Sequence, residues 1–430
     1  MVKKVLHKLI AGILRWQTKR MLKDKPIKIV AITGSVGKTT TKDAVVRVLS
    51  TSYRVLAHAG NYNTDIGIPM AVFRLETVGS ILNVIGWIKL ILKVEKRLKE
   101  PFPYDILVLE MGASHNGDIA YFMKFIKPDL GVITAVRPAH LEGFGSMGNI
   151  LNEKFKLALG SKQVLLNAED ERLMSRAAEL KTKPFMSYGL HKGDFRFEVK
   201  HFDIEHGYEG TLILQQERLE DVRVRMIAAH NLHSAIAAAA VGKLFGVGTD
   251  KIREALARVV PSAGRMNLLP GANGSYLIDD SYNANPEAVI AALDTLYALS
   301  GRKIAILGSM NELGQYSTKF HMDVGKHANK LDLLVTIGEN AEKYLARAAL
   351  DAGLASEKIK GFMSPYEAGN YVKSLLGPGD KVLVKGSQNK VFSEEAAAQL
   401  LANPADKAKL VRQSSFWQDI KRQAFSLEKL

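Results

Sequence analysis

The 430-residue chain has no cysteine, which excludes disulfides, thiolate metal sites and a cysteine nucleophile. It also has no readable secretory signal, because lysines interrupt the early apolar residues and no small-residue cleavage site follows. No internal repeat or low-complexity run stands out. Long disorder is not expected, since 47% hydrophobic and 24% charged residues are ordinary for a folded protein. Acid is in short supply, 44 acidic against 59 basic residues, for a formal net charge of +15. The length is too great for one ordinary core and predicts two or three domains.

The positive charge is unevenly placed. Residues 1–28 hold nine bases against Asp24, so over half of the excess sits in one short segment. Along it Val5, Leu6, Leu9, Ile10, Ile13, Leu14, Trp16 and Leu22 form an apolar stripe at helical spacing. A helix of this kind either lies on an anionic membrane surface or packs on the body with its lysines solvated. It is too short and too charged to span a bilayer. Residues 80–100, SILNVIGWIKLILKVEKRLKE, predict a second basic amphipathic helix, open to the same readings of core, membrane or partner surface.

The stretch richest in chemistry is Ile29–Lys42, IVAITGSVGKTTTK. An apolar run suited to a buried strand breaks into Thr33-Gly34-Ser35-Val36-Gly37 before Lys38 and three threonines. The order predicts strand, phosphate loop and helix. Gly34 and Gly37 allow a tight turn around Ser35 that points N–H groups at one anion, and the helix opening near Lys38 adds its positive dipole end. Lys38 is placed to reach the β- and γ-phosphates of ATP, the Thr39 hydroxyl to help hold Mg²⁺, and Thr40 follows in the same first turn. Ile32 stands where the common phosphate-loop pattern has a glycine, so the loop is a variant.

Further strands are expected at 53–57, at 104–110, which ends in Glu110, and at 130–134, which leads to Pro138-Ala139-His140. Glu110 and His140 thus fall by strand C-termini, where open parallel sheets bind ligands. Alternating segments at 195–199 and 211–214 predict antiparallel strands, and an alanine-rich helix follows from His230 to about Phe245. Proline and glycine cluster at 260–264, and strands at 275–279, 303–307, 331–336 and 380–384 then alternate with helical stretches. The expected organisation is α/β throughout. A basic amphipathic helix (1–26) precedes a central ATP-binding domain (27–260), mostly a parallel sheet with an antiparallel portion, and a C-terminal Rossmann-like domain (261–430).

Read from residues alone, a phosphate loop with Glu110 and His140 set to meet Mg²⁺ indicates an ATP-using enzyme. Six strings then carry a resemblance: TGSVGKTTT (33–41), GNYN (60–63), LEMGA (109–113), AHLEGFGS (139–146), His230-Asn231 and DDSYNANP (279–286). In this chain order they resemble the Mur ligases over roughly residues 27–400. LEGFGS, DDSYNANP, GSMNELG (308–314) and VKGS (384–387) are most similar to the branch that adds D-alanyl-D-alanine to a UDP-linked muramoyl tripeptide.

The resemblance implies ATP-dependent amide formation in peptidoglycan-precursor synthesis. A carboxylate is a poor electrophile, so ATP first converts it to an acyl phosphate; an amine attacks, and a tetrahedral intermediate collapses to amide and phosphate. Carried over residue by residue, Thr39 and Glu110 hold one Mg²⁺ and His140 a second. Lys154 aligns with the family's carbamylated lysine, whose carbamate is an anionic oxygen ligand; Lys38, His140 and Lys154 form the catalytic set. Asn231 contacts adenine, and Arg265 and Asp280 close on the phosphates and ribose. Asn61, Asn63, Asn283, His321, Lys385 and Ser387 are expected to face the substrates, with helix packing an equal expectation for His321. Asn283 and Asn285 are equally expected in a plain turn before proline.

Two departures qualify the resemblance. The family carries a separate N-terminal domain that grips the UDP end of its substrate, and here some 26 residues precede the first strand, so a different element is expected to hold the sugar. Gln388 stands where the family has an arginine after KGS, and glutamine cannot supply the charge of a bidentate carboxylate pair. The acceptor is therefore expected to be a UDP- or lipid-linked muramoyl peptide and the donor D-alanyl-D-alanine or a similar amine. The location is expected to be cytoplasmic, peripheral at the inner membrane face if residues 1–26 and 80–100 touch lipid. The competing readings are a Mur-ligase-like enzyme with another acceptor and a non-catalytic nucleotide-binding protein. No nucleic-acid module is recognised.

Overall fold

A computed structural model of the chain describes residues 2–58, 62–138, 141–180 and 182–425. Asn61 and His140, both expected at the site, lie outside the described residues.

Nine strands form the first sheet: β1 (Lys28–Thr33), β2 (Val55–Ala57), β3 (Ile106–Glu110), β4 (Leu130–Ile133), β5 (Gln163–Asn167), β6 (Phe185–Tyr188), β7 (Phe195–Asp203), β8 (Gly207–Leu214) and β9 (Glu217–Val224). Their order is β2-β3-β1-β4-β5-β6-β7-β8-β9, parallel as far as β7 and antiparallel from β7 to β9. The inner strands are covered on both faces, as parallel sheets require. Ile29, Ala31, Leu107 and Leu109 point into one core with the helices Val2–Asp24 (α1), Val84–Lys99 and Met147–Gly160. Val30, Ile32, Ile106 and Val108 point into another with Lys38–Leu49 (α2) and Ala229–Leu244. Strand order reverses about β1, so the C-terminal ends of β1, β3 and β4 open a crevice at a topological switch point.

The second sheet contains β10 (Asn267–Pro270), β11 (Tyr276–Asp280), β12 (Lys303–Gly308), β13 (Leu333–Ile337), β14 (Ile359–Phe362) and β15 (Lys381–Lys385). The order is β10-β11-β15-β12-β13-β14, parallel except for the edge pair β10–β11. Ile227 and Ala228, which lead into the helix Ala229–Leu244, join the core around Ile278, Leu307 and Leu383, so the two sheets share apolar contact.

The two basic helices are found at Val2–Asp24 and Val84–Lys99, packed together on the body. The Gln17 side-chain amide donates to Ile91 O (3.2 Å) and to Glu95 (2.9 Å), and Arg20 pairs with Glu95 at 3.2 Å. Each helix is split rather than one-sided. Ile10, Leu14 and Met21 of the first, and Trp87, Leu90 and Val94 of the second, are buried, while Val5, Leu9, Trp16, Ile85, Ile88 and Leu92 stay exposed. Among the described residues no helix is long and apolar enough to cross a membrane.

Candidate active site

The phosphate loop takes the form its glycines demand. Gly37 sits in the left-handed region (φ 80°) at the start of α2, and Gly34 has φ 149°. A Cβ on Gly34 would collide with the Thr134 side chain and meet Ala135 N and O at 3.1 Å. The loop is pinned to the end of β4: Ser35 N donates to Ala135 O (2.7 Å), Thr134 Oγ1 donates to Val36 O (2.6 Å), and Ser35 Oγ donates to Arg137 O (2.8 Å). Lys38 curls back, its Nζ donating to the carbonyls of Gly34 (3.0 Å) and Ser35 (3.2 Å). Burial pulls its pKa down, the Glu110 carboxylate pushes it back up in part, and Arg265 lowers it further.

Beside the loop, Thr39 Oγ1 donates to Glu110 Oε2 at 2.9 Å and Asn63 Nδ2 to Glu110 Oε1 at 3.2 Å. Thr39 and Asn63, 71 and 47 residues away from it in sequence, thereby converge on the Glu110 carboxylate. Thr40 is buried, and Thr41 Oγ1 donates to Ser234 Oγ (2.9 Å), tying α2 to the helix that carries Asn231.

Lys154 projects from the helix Met147–Gly160, only 2% exposed. Its Nζ donates to Ala113 O (3.2 Å) and lies 5.7 Å from the Phe144 ring centre. Burial, then the positive charge of Lys38, lowers its pKa to about 7, so the neutral amine is abundant near neutral pH. The adjacent Glu153 is fully buried and accepts from the N–H groups of Gly117 (2.8 Å) and Ile119 (2.6 Å) and from Lys156 Nζ (2.6 Å). Burial alone would raise its pKa, but these donors outweigh that and hold it low.

The second sheet supplies the facing wall. Asp280 ends β11 and Lys385 ends β15; Lys385 Nζ donates to Asp280 Oδ2 at 2.6 Å and to Asn283 O at 3.0 Å. Lys385 is 3% exposed, and burial lowers its pKa against the opposing pull of Asp280. Burial raises Asp279 to about 6, although Ser281 and Gly264 N–H hold its charged form. Arg265 lies over the Tyr282 ring at 4.0 Å, and Asn231 Nδ2 reaches Arg265 O at 3.4 Å. Asn285 caps the helix Pro286–Tyr297, accepting from Ala288 N (2.9 Å), and also faces the space between the two sheets.

Between the walls lies a cavity of about 1180 Å³. Lys38, Thr39, Asn63 and Glu110 border it on one side, and Arg265, Asp280, Asn283 and Lys385 on the other. Gln388 also lines it. Lys154 reaches only its edge, through Ala113, which lines it. His321 and Ser387 stand behind the wall. The fully buried His321 ring accepts from Met310 N (2.9 Å) at Nε2 and contacts Ser317 O (2.7 Å) at Nδ1. Burial lowers its pKa, consistent with a neutral ring bonded at both nitrogens. Ser387 Oγ accepts from Asn311 N (2.9 Å) and so fastens the 308–314 loop that forms the cavity rim.

Some site residues had no sequence signal of their own. Arg137 pairs with Asp170 at 3.0 Å and with Glu287 at 2.9 Å, bridging the end of β4 to the first turn of a helix on the opposite wall. His233 and Glu169 pair at 2.7 Å on the Asn231 side, and the His233 hydrogen bond holds the Glu169 pKa at about 2. Arg137 sits directly before Pro138, so its place at a strand end was visible even though its partners were not.

Comparison with known proteins gives the same architecture. The Mur ligase middle domain matches residues 32–242, and the Mur ligase glutamate ligase domain matches residues 264–388. A UDP-N-acetylmuramoyl-tripeptide–D-alanyl-D-alanine ligase from Bacillus subtilis is 29% identical over 392 residues, covering 90% of this chain and 78% of the relative. One of the same name from Synechocystis is 30% identical over 387 residues, covering 88% and 76%. Among solved structures, MurF from Acinetobacter baumannii superposes with a TM-score of 0.74 at 27% identity, covering 91% of this chain and 79% of that one. MurF ligase from Thermotoga maritima in complex with ADP gives 0.73 at 26%, covering 90% and 84%. With both domain matches in order, and relatives and folds aligned along most of its length, the chain belongs to the Mur ligase family.

Proposed function

We propose that this protein is an ATP-dependent amide ligase of peptidoglycan-precursor synthesis. It joins D-alanyl-D-alanine or a similar amine to the carboxylate of a muramoyl peptide carried on UDP or on a lipid, releasing ADP and phosphate. The observation that carries the reading is one cavity flanked by Lys38, Thr39 and Glu110 from the first sheet's side and by Arg265, Asp280 and Lys385 from the second's. The buried Lys154, whose pKa is lowered by burial and by the charge of Lys38, adds support for a reactive site rather than a scaffold.

In this reading the loop and Lys38 hold the β- and γ-phosphates, Asn231 lies at the adenine, and Arg265 and Asp280 meet the nucleotide from the second sheet. The substrate carboxylate attacks the γ-phosphorus, ADP leaves, and the amine then displaces phosphate from the acyl carbon. Lys38 and Arg265 offset the negative charge that gathers on the transferred group. Oxygen donors suit Mg²⁺, and Thr39 with Glu110 provides a hydroxyl and a carboxylate already 2.9 Å apart. The Lys154 carbamate and His140 would hold a second ion. Bound Mg²⁺ would supply charge neutralisation for the phosphoryl group in transfer. Asn63 orients Glu110 in the meantime.

Gln388 favours leaving the amine open to a relative of D-alanyl-D-alanine, because a neutral amide lines the cavity where a cation would grip a terminal carboxylate. The test is mass-spectrometric detection of product from a panel of UDP-muramoyl peptides and dipeptides with ATP. Product requiring both substrates is expected, with Lys38→Ala slowing ligation on the order of a hundredfold or more. Ligation unaffected by that substitution contradicts the assignment.

A further inference from the structure

We propose that the paired outer faces of α1 and the helix Val84–Lys99 rest on an anionic membrane surface. Each helix has already buried one apolar face in the body, through Ile10, Leu14 and Met21 on α1 and Trp87, Leu90 and Val94 on its neighbour. A second apolar face remains on each. Val2, Val5, Leu9 and Trp16 recur at spacings of three, four and seven, and Ile85, Ile88 and Leu92 at three and four, so each set forms one stripe. Ile85 is 70% exposed, Leu92 64% and Trp16 56%. Core packing accounts for the first face and leaves the second unexplained.

The contact between the helices brings the two stripes together. Glu95 follows Leu92 by three residues and Ile88 by seven, on the side where it meets Arg20. Arg20 lies over the Trp16 ring at 4.5 Å. The seam therefore runs between Trp16 on one helix and Ile88 and Leu92 on the other, merging them into one outward surface.

The charge around this surface selects its occupant. Lys8, Lys19 and Lys23 on α1 and Lys89, Lys93, Lys96 and Lys99 on its neighbour are exposed. Residues 1–28 carry nine bases against one acid and residues 80–100 five against two, together eleven of the fifteen net positive charges. The two acids in the second segment, Glu95 and Glu100, are paired with Arg20 and Arg97. A second copy of the chain would oppose this charge with its own. A bilayer rich in anionic lipid accepts the apolar side chains and attracts the lysines at once. Because no described helix can span, the attachment is peripheral.

The docked layer also touches the cavity. His7 of α1 pairs with Asp65 at 2.7 Å, and Tyr121 OH donates to Ala11 O at 3.3 Å; Asp65 and Tyr121 both line the cavity. Its edge is thus one helix, about 10 Å, from the lipid-facing side.

The experiment is flotation of the full-length protein with vesicles of phosphatidylcholine alone or mixed with phosphatidylglycerol, without ATP or peptide. Binding to the mixed vesicles, weakened by salt and by removing the anionic lipid, is expected. The paired substitution Ile88→Glu with Leu92→Glu, and the triple change of Lys89, Lys93 and Lys96 to Gln, should each weaken it at least about tenfold. All five positions are exposed, so thermal midpoints should not move, which separates lost docking from lost folding. Absence of binding, or binding that survives both variants, overturns the proposal. So does a dimer in sedimentation velocity that Ile88→Glu with Leu92→Glu dissolves. Because no turnover is measured, failure here leaves the ligase reading standing.

Discussion

Lys154 is the residue whose chemistry depends most on its surroundings. A solvated lysine keeps its proton far above neutral pH, whereas burial and Lys38 bring this one to about 7. Carbon dioxide adds only to the neutral amine. The folded-state pKa is depressed, so carbamate formation is open above about pH 7 and is lost as protonation sets in below it. Ligation should therefore fall as pH drops through 7 and depend on dissolved bicarbonate. Lys154→Arg, which keeps the cation and cannot form a carbamate, should lose at least roughly a hundredfold. A ¹³C NMR carbamate signal from ¹³CO₂-equilibrated protein, missing in the variant, checks the modification itself. Sequence alone offered a helix lysine here, and only the resemblance at LEGFGS singled it out. Lys38, Thr39 and Glu110 were legible because each sits in a contiguous string or ends an apolar strand. Glu153, Arg137 and Asp170 were not, because the contacts that tie them into the site reach backbone N–H groups or side chains more than 30 residues away.

In the proposed function the turn from β1 into α2 is the element on which nucleotide binding rests, and its tolerance is narrow. Gly34→Ala should displace the loop, since the new methyl group meets Thr134 and the Ala135 backbone in a conformation unfavourable to side chains. ATP affinity measured by calorimetry should fall at least about tenfold. Stability should fall by only about 1–3 kcal/mol, because the surrounding sheet core is untouched. Retention of wild-type affinity would show that the loop is less constrained than its contacts imply. The strands read most easily from sequence were the inner ones, such as β1, β3 and β12, where continuous apolar runs answer burial on both faces. Edge strands carried less signal: Ile359-Lys-Gly-Phe of β14 has two exposed residues in four, and β10 ends in proline. The amphipathic helices were legible as helices, but sequence merged into one stripe what packing divides into a buried and an exposed face.

At the scale of the whole molecule, two mostly parallel sheets turn the C-terminal ends of their parallel strands toward one cavity, and Arg137–Glu287 and Asn231–Arg265 cross between them. α/β alternation and the proline–glycine cluster near 260 made two sheets legible. That both would open onto one site came from the order of the family strings, because no local pattern encodes how sheets face each other. The proposed function requires that this shared cavity activate a carboxylate by phosphorylation before an amine attacks. The direct test is to supply the peptide substrate with its reacting carboxylate labelled with ¹⁸O and to analyse the released phosphate by mass spectrometry. Transfer of one labelled oxygen from peptide to phosphate, dependent on the amine substrate, is the predicted result. Phosphate released without label would mean that ATP is hydrolysed by water alone, and would contradict the proposed function.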